Sequence, residues 1–408
     1  MNKTELFREK LSKAIAAKPL PDVPAIVDDL LELAVQSKAT DLHLTPAEDE
    51  GLRLDLRIDG VIQPFGILPQ AVSSQTVARI KVLAGLLTYR TEIPQEGRIA
   101  PEPAKQRPEV RVSTFPTING ERAALRFLGQ RDSHRQFSSI GLPESIQNDL
   151  SLMLDGTSGM IIFTGPTGSG KTTTLYACLR EIMARSQGSR CVVTLEDPVE
   201  SAIRGVAQTS LDRRSGLGLA KLVKSVMRQD PDVIAIGEIR DRATARAAFQ
   251  ATLTGHLLLT TIHSGDCVEV LTRLMDMNIP PYVLRSGMRG ILAQRLLRRL
   301  CSQCRVKKQG DVSSGHLLTP EFGEFFEAVT TDCNACGGTG YVGRVMAVQW
   351  LDTTLEGLPE AISQRADAKT IRQLLQNKGV KSLRSHAIEL VKLGITTPNE
   401  VIRVLGID

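Results

Sequence analysis

The sequence predicts an α/β protein with more than one domain, and three observations support that class. Four short apolar runs, at 160–163, 192–195, 233–236 and 257–262, are separated by segments of helix length, which favours a parallel sheet covered on both faces. Residues 52–58 instead alternate apolar and polar side chains, as a half-buried strand does. At 408 residues the chain is also longer than one hydrophobic core usually supports.

The composition is that of an ordinary globular protein and excludes several classes. Hydrophobic residues make up 42% of the chain, charged residues make up 23%, and the net charge of +5 is too small to require nucleic acid or anionic lipid as a partner. No segment approaches the roughly 18 uncharged apolar residues of a membrane span, and the charged start of the chain is unlike a signal peptide. We therefore expect a cytoplasmic protein without direct membrane insertion.

The first domain is predicted as a small α+β domain at residues 25–129, after an N-terminal extension at 1–24. Helical spacing at 25–35 is followed by strands on either side of the turn signal Asp59-Gly60, by a helix at 74–87 and by strands at 110–115 and 122–128. Four arginines lie on its strands and turns, and residue type alone favours a solvated outer face for them: Arg57, Arg98, Arg111 and Arg126. A polar linker is predicted at 130–140.

The second domain, predicted at 141–300, is organised around a glycine-rich loop. The apolar run 160–163 leads into GPTGSGKTTT, and a helix-forming segment follows. The glycines allow backbone N–H groups to surround a polyphosphate, Lys171 reaches the β and γ phosphates, and the Thr172 hydroxyl holds Mg²⁺. A parallel sheet with this loop is a RecA-like P-loop core that hydrolyses ATP. The predicted nucleotide-binding residues are Gly165, Pro166, Thr167, Gly168, Ser169, Gly170, Lys171, Thr172 and Thr173.

Acidic and histidine side chains follow the strands of this domain, at the edge where open α/β sheets bind ligands. Glu238 comes shortly after the run 233–236, and Glu196 and Glu200 lie in the LEDPVE segment that follows the run 192–195. A carboxylate cluster at this edge suits a general base for the water that attacks the γ phosphate. His263 follows the last run and is a candidate to sense or polarise the γ phosphate, although a lone histidine is more often structural.

Four of the seven cysteines form two CxxC pairs. Cys301-x-x-Cys304 and Cys333-x-x-Cys336 supply four soft ligands suited to tetrahedral Zn²⁺, and duplication of the pair argues against redox chemistry. We therefore predict a structural zinc module at 301–344, followed by a helical region at 345–408. The remaining three cysteines are interpreted as small core residues: Cys178, Cys191 and Cys267.

Several motifs in one order resemble a known family. They are GPTGSGKTTTLY, LEDPVE, RQDPDVIAIGEIRD, TGHLLLTTIHS and QRLLRRLC. From about Asp41 to its C-terminus the chain is similar to the ATPases of type II secretion and type IV pilus assembly. Because the tetracysteine module is typical of the assembly and secretion branch of that superfamily, the resemblance implies this branch and not the retraction branch.

The resemblance implies roles for individual residues. Glu200 matches the family's catalytic glutamate, with Glu196 as the second choice, and Glu238 matches the Walker B acid. His256 and His263 match the family's histidine box, which implies nucleotide contacts. The resemblance also implies that the first domain is PAS-like, and that its four arginines close over the nucleotide.

Together these implications give a specific hypothesis of function. The protein is expected to be a homohexameric ATPase at the inner face of the bacterial inner membrane, with the 130–140 linker as the hinge between its domains. Their movement would act on an inner-membrane platform protein during assembly of a type IV pilus or a type II secretion pseudopilus. The alternative is a DNA-handling or conjugative type IV secretion ATPase. An aromatic content of only 4% and the lack of a basic stripe make nucleic acid an unlikely partner.

Overall fold

The computed structural model describes residues 22–48, 50–128, 136–211, 217–308, 322, 324–329 and 333–407. The chain divides into two compact units, Met1–Ser133 and His134–Asp408. The predicted extension at 1–24 and the predicted linker at 130–140 fall largely outside the described residues, so these boundaries stay predictions. None of the helices in the described ranges combines the length and the apolar character that crossing a membrane requires.

In its described residues, the first unit is an antiparallel sheet packed against helices. The helices are α1 (Val23–Gln36) and α2 (Gln70–Leu83), and the strands are β1 (Asp41–Ala47), β2 (Gly51–Ile58), β3 (Val61–Leu68), β4 (Gln95–Ile99), β5 (Val110–Thr117) and β6 (Gly120–Phe127). The six strands are ordered β3-β2-β1-β6-β5-β4. Leu42, Leu56 and Leu125 lie side by side on three strands and share one core with Leu30 of α1 and Ile80 of α2. The helices therefore cover the leucine face, and the polar side chains occupy the other face.

Local sequence explains how two of these elements begin and end. Asp59 and Gly60 both have positive φ, at 51° and 84°, which is what a two-residue hairpin turn between β2 and β3 requires. Helix α2 begins directly after Pro69 and ends before Gly85, whose φ is 69°. The helix thus lies four residues earlier than the predicted range of 74–87, because the proline and the glycine define its ends.

The second unit is built on a larger sheet covered by helices. Its described helices are α3 (Glu144–Leu154), α4 (Lys171–Ser186), α5 (Leu219–Val226), α6 (Arg242–Leu253), α7 (Cys267–Asp276), α8 (Pro281–Gly287), α9 (Leu358–Ser363), α10 (Ala368–Asn377), α11 (Leu383–Lys392) and α12 (Pro398–Leu405). Its described strands are β7 (Gly159–Thr164), β8 (Val192–Glu196), β9 (Ala207–Ser210), β10 (Val233–Ile236), β11 (Leu257–Ile262), β12 (Met288–Leu300), β13 (Val306–Lys308), β14 (Phe325–Glu327) and β15 (Tyr341–Asp352).

Seven of these strands form one sheet, in the order β15-β12-β7-β11-β10-β8-β9. Every neighbouring pair from β12 to β9 is parallel, and β15 is antiparallel to β12. The predicted parallel sheet is therefore confirmed. Strands β7, β8, β10 and β11 are buried along their whole length, which explains why their sequences are mainly apolar and show no alternation.

The prediction that residues 345–408 are helical is wrong at its start. Residues 341–352 form β15, and the helices begin only at Leu358. Met346, Ala347 and Val348 are buried consecutively because this strand is covered on both faces. A strand without apolar and polar alternation cannot be told from a buried helix by periodicity. The same reason explains why the sequence did not indicate the long strand β12.

Candidate active site

The glycine-rich loop joins the buried strand β7 to helix α4. Gly165, Gly168 and Gly170 have φ values of 148°, 78° and 92°, which side-chain-bearing residues rarely adopt. At Gly165 space also requires glycine, because a Cβ atom there would lie 2.5 Å from the carbonyl oxygen of Gln294. The loop therefore has the backbone conformation that turns N–H groups toward a bound anion at the start of a helix.

Lys171, the first residue of α4, lies folded into this loop. Its Nζ donates hydrogen bonds to the carbonyl oxygens of Gly165 and Pro166, at 2.7 and 2.9 Å. Burial lowers the pKa of Lys171 to about 8, with a further lowering by Arg295, while the nearby Glu238 carboxylate acts in the opposite direction. The ammonium group is thus held where phosphate oxygens are expected, and its charge is sensitive to pH near neutrality.

Lys171, His263 and Glu238 contact one another in succession. Strands β7, β11 and β10 are parallel and in register, so the residues that follow them meet at one edge of the sheet. His263 Nδ1 lies 3.4 Å from Lys171 Nζ, and His263 Nε2 lies 3.3 Å from Glu238 Oε1. At Nδ1 the imidazole can accept a hydrogen bond from the ammonium group, and its Nε2 faces the carboxylate. Arg240 Nε donates to the other oxygen of Glu238 at 2.8 Å.

Thr172 and Glu238 are the residues that fit a magnesium ion. Thr172 lies half-buried in the first turn of α4, next to Lys171, and the Glu238 side chain keeps 15% of its surface exposed. Hydroxyl and carboxylate oxygens suit Mg²⁺, which keeps several waters and takes phosphate oxygens as further ligands. Of the remaining predicted loop residues, Pro166, Thr167 and Gly168 are exposed, Thr173 is half-buried and Ser169 is buried.

Glu196 and Glu200 have different environments. Glu196, at the end of β8, is 5% exposed, and both of its carboxylate oxygens accept hydrogen bonds. Glu200 is exposed, and its backbone N–H donates to the Tyr176 hydroxyl at 3.1 Å. Because Glu196 is buried and Glu200 is exposed to solvent, Glu200 is better placed than Glu196 to take a proton from water as the general base.

The structure does not bring His256 to this edge of the sheet. His256 precedes β11, whereas His263 follows it, and the parallel register pairs Leu257 with Gly159 at the start of β7 and Ile262 with Thr164 at its end. His256 therefore lies at the opposite edge, where its Nδ1 is 2.9 Å from the carbonyl oxygen of Ala251. The two histidines are separated by the full length of a strand, so His256 does not join Lys171, His263 and Glu238, and its predicted nucleotide contact stays a prediction.

The four predicted arginines lie in a single cross-strand row of the first unit. Arg57 pairs with Asp41, Asp41 with Arg126, Arg126 with Arg111 and Arg111 with Arg98. Directly paired residues share a face of the sheet, and this row lies on the face opposite the leucine face. We call it the arginine row.

The arginine row is partly neutralised by nearby carboxylates. Asp41 accepts from Arg126 Nε at 2.9 Å and lies 3.6 Å from Arg57 Nε, and Glu109 accepts from Arg98 at 3.1 Å. Arg126 and Arg98 remain 65% and 60% exposed. The Arg111 Nε is buried and donates to no partner within the described residues. Because guanidinium groups outnumber carboxylates here, the row suits an anionic ligand.

The four cysteines of the CxxC pairs converge at the tip of the hairpin formed by β12 and β15. Their sulfur atoms all lie within 4.8 Å of one another, with 3.9 Å between Cys301 and Cys333 and 3.7 Å between Cys304 and Cys336. Tetrahedral zinc with Zn–S bonds of about 2.3 Å separates its sulfur ligands by about 3.8 Å. The Gly340 N–H donates to Cys336 Sγ at 3.2 Å. The cluster is therefore able to hold a metal ion of this type.

The interpretation of the other three cysteines is wrong at one position. Cys178 and Cys267 are fully buried, and burial raises the pKa of both thiols well above the usual range. Cys191 is exposed instead, because it lies directly before the first residue of β8 and outside the core.

Sequence reasoning missed the role of Gln294. This residue of β12 is fully buried, and its Nε2 donates to the Ser169 carbonyl oxygen at 2.8 Å, so it fixes the loop from the neighbouring strand. The QR dipeptide of QRLLRRLC contributed to the family resemblance, but no local pattern indicates that its glutamine contacts the loop.

Comparisons with known proteins identify the family. A family model described as "Type II/IV secretion system protein" matches residues 17–403. The chain is 36% identical to the type II secretion system protein HxcR of Pseudomonas aeruginosa, over 93% of this chain and 76% of that protein. It is also 36% identical to the type IV pilus assembly ATPase TfpB of Acinetobacter baylyi, over 93% of this chain and 65% of that protein.

Solved structures share the fold. The ATPase DotB of Legionella pneumophila superposes with a TM-score of 0.67 at 20% identity, covering 95% of this chain and 97% of that one. The pilus retraction motor PilT superposes with a TM-score of 0.58 at 22% identity, covering 93% of this chain and 96% of that one. With the loop, the carboxyl-edge residues and the family match together, the chain belongs to the type II/IV secretion system protein family, the family of type II secretion and type IV pilus assembly ATPases.

Proposed function

We propose that this protein is a cytoplasmic, hexameric ATPase motor, bound peripherally at the inner face of the bacterial inner membrane. It would power assembly of a type IV pilus or a type II secretion pseudopilus by coupling ATP hydrolysis to movement between its two units. The observation that carries this proposal is the contact series from Lys171 Nζ through His263 to Glu238, at 3.4 and 3.3 Å, beside the glycine-rich loop.

In the proposed reaction, Lys171 exchanges its two carbonyl partners for phosphate oxygens. The Glu200 carboxylate takes a proton from water while the oxygen of that water attacks the γ phosphorus. The bond from the γ phosphorus to the bridging oxygen breaks, and ADP leaves with the electron pair. Thr172 and Glu238 would hold Mg²⁺, which would supply positive charge that neutralises the phosphates.

His263 has a distinct place in this proposal. It lies between Lys171, which would bind phosphate, and the Glu238 carboxylate, which would help to hold magnesium. When Lys171 turns to the phosphates, the imidazole loses a partner and becomes available to the γ phosphate. Arrival and departure of that phosphate would therefore change the contacts at the end of β11.

The arginine row supplies the proposed mechanical step. We propose a PAS-like first unit whose arginines close over the phosphates of bound ATP and release them after hydrolysis. Differential contacts of this kind shift the population between closed and open arrangements of the units, with a hinge in 130–140. The partner that receives this movement would be an inner-membrane platform protein, and the tetracysteine module would hold Zn²⁺ as a structural ion.

The direct test is the Lys171→Ala variant of the purified protein. It should lose ATP turnover and support no pilus assembly or secretion in cells, while its circular dichroism and melting temperature stay those of the parent. Lys392→Ala removes an exposed lysine of α11 and should leave turnover unchanged. A Lys171→Ala protein that still drives assembly would exclude the motor role. Salt-sensitive stimulation of the parent ATPase by single-stranded DNA would indicate the DNA-handling alternative instead.

A further inference from the structure

A network of neutral hydrogen-bond donors surrounds the buried carboxylate of Glu196. Its Oε1 accepts from the Thr194 hydroxyl at 2.6 Å and from Gln208 Nε2 at 3.1 Å, and its Oε2 accepts from the Tyr176 hydroxyl. The residue is 5% exposed. A buried carboxylate is costly unless donors satisfy its oxygens, so these hydrogen bonds are what allow Glu196 to be buried at the end of β8.

The network has two arms, and both end on the backbone of residues 200–203. In the first arm, the Tyr176 oxygen accepts the backbone N–H of Glu200 at 3.1 Å. In the second, Gln208 Nε2 donates to the Ser201 carbonyl oxygen at 3.1 Å, and its Oε1 accepts the Ile203 N–H at 2.6 Å. One buried carboxylate is thereby connected to three backbone groups of the segment that carries Glu200.

The direction of each hydrogen bond in the first arm is fixed. Tyr176 has one hydroxyl proton and gives it to Glu196, so its oxygen can only accept from Glu200. Burial, followed by the hydrogen bond to Glu196, raises the pKa of Tyr176 well above its usual range, so the hydroxyl stays protonated. Tyr176 is 2% exposed on α4 and lies about 7.5 Å along the helix axis from Lys171.

We propose that Glu196, Tyr176 and Gln208 are positioning residues that hold the Glu200 backbone in place relative to the phosphate-binding helix. Glu196 acts through Tyr176 and Gln208 and does not touch the reacting atoms. The inference rests on the proposed role of Glu200 as the general base. Misplacing a catalytic group by about 1 Å costs on the order of 100-fold in rate, whereas nucleotide affinity depends on the loop, which takes part in none of the hydrogen bonds described above.

The first experiment uses Tyr176→Phe, which removes the hydroxyl and keeps the buried ring. We expect kcat for ATP to fall about tenfold, with KM and the affinity for ATP within twofold of the parent. The matched control is Tyr341→Phe, which removes a hydroxyl that lies 2.9 Å from Thr397 Oγ1, away from this network. It should keep the parental kcat. Gln208→Met breaks the second arm at similar volume and should reproduce the kcat effect if Tyr176→Phe fails to fold.

The second experiment repeats these substitutions in the Glu200→Gln background and measures single-turnover hydrolysis. If Tyr176 acts through Glu200, its substitution slows the Glu200→Gln protein by less than twofold. An equal tenfold loss in both backgrounds would overturn the proposal, as would a parental kcat for Tyr176→Phe. It would also be overturned if Glu196→Gln were inactive while Glu200→Gln turned over normally, because Glu196 would then be the base. Failure of the motor proposal would appear separately, as turnover by Lys171→Ala.

Discussion

Affinity for ATP should fall steeply as the pH rises above 8, because Lys171 loses its charge there. Burial lowers the pKa of its ammonium group to about 8, from an ordinary value near 10.5. Because the pKa is lowered, the neutral amine becomes the major form at alkaline pH, and the affinity for ATP falls as the pH rises. At pH 7 about nine tenths of the free protein carries the charge, and at pH 9 about one tenth does.

The expected magnitude follows from these fractions. If only the charged form binds the phosphates, the apparent Kd for ATP rises about tenfold between pH 7 and pH 9. Isothermal titration calorimetry of the Glu200→Gln protein, whose residual hydrolysis should be slow compared with the binding measurement, measures this directly. Lys171→Arg keeps its charge throughout and should change less than twofold. A parental Kd that stays constant to pH 9, or an equal loss in Lys171→Arg, would show that the charge of Lys171 does not control ATP binding.

Three further predictions concern other parts of the second unit. Cys304→Ser, or treatment with a chelator, should release one zinc ion per chain as measured by mass spectrometry, and should lower the melting temperature without altering the phosphate-binding loop. Glu400→Ala should lower the free energy of unfolding by about 3 kcal/mol in urea titrations, because a fully buried carboxylate that pairs with Arg298 and Arg403 is lost. Burial opposes ionisation of Glu400, but the hydrogen bonds from the two arginines outweigh this effect and lower the pKa of Glu400. The stabilisation by Glu400 is therefore fully present above the ordinary carboxyl pKa and is lost as the pH falls through the lowered pKa of the folded protein. His263→Asn should lower kcat about tenfold in steady-state assays with little change in KM, and an unchanged kcat would assign His263 a structural role.

The sequence predicted the parts of the fold that depend on local pattern. The apolar runs at β7, β8, β10 and β11 are buried strands, and the parallel order of such strands places the residues that follow them at one edge. Lys171, Glu238 and His263 could therefore be expected to lie together. The spacing of the CxxC pairs likewise predicted the sulfur cluster, because each pair holds two thiols within one short turn.

Features that depend on packing and strand register could not be predicted. The helical interpretation of 345–352 failed because β15 is buried on both faces and shows no alternation. The alignment of the arginine row depends on the register of five strands, which loop geometry sets and composition does not reveal. Similarly, the family resemblance favoured Glu200 over Glu196, but no local pattern in LEDPVE indicates that Glu196 is buried and Glu200 exposed.

The most direct test of the proposed coupling is the steady-state ATPase rate of a variant with all four residues of the arginine row replaced by alanine. Guanidinium groups that close on the transferred phosphate are worth on the order of 10³ in rate, so we predict a kcat/KM lower by at least about 100-fold. Arg53→Ala, at an exposed position of β2 outside the row, should keep the parental rate. A parental hydrolysis rate in the fourfold variant would contradict the proposal that the arginine row closes over the phosphates of bound ATP.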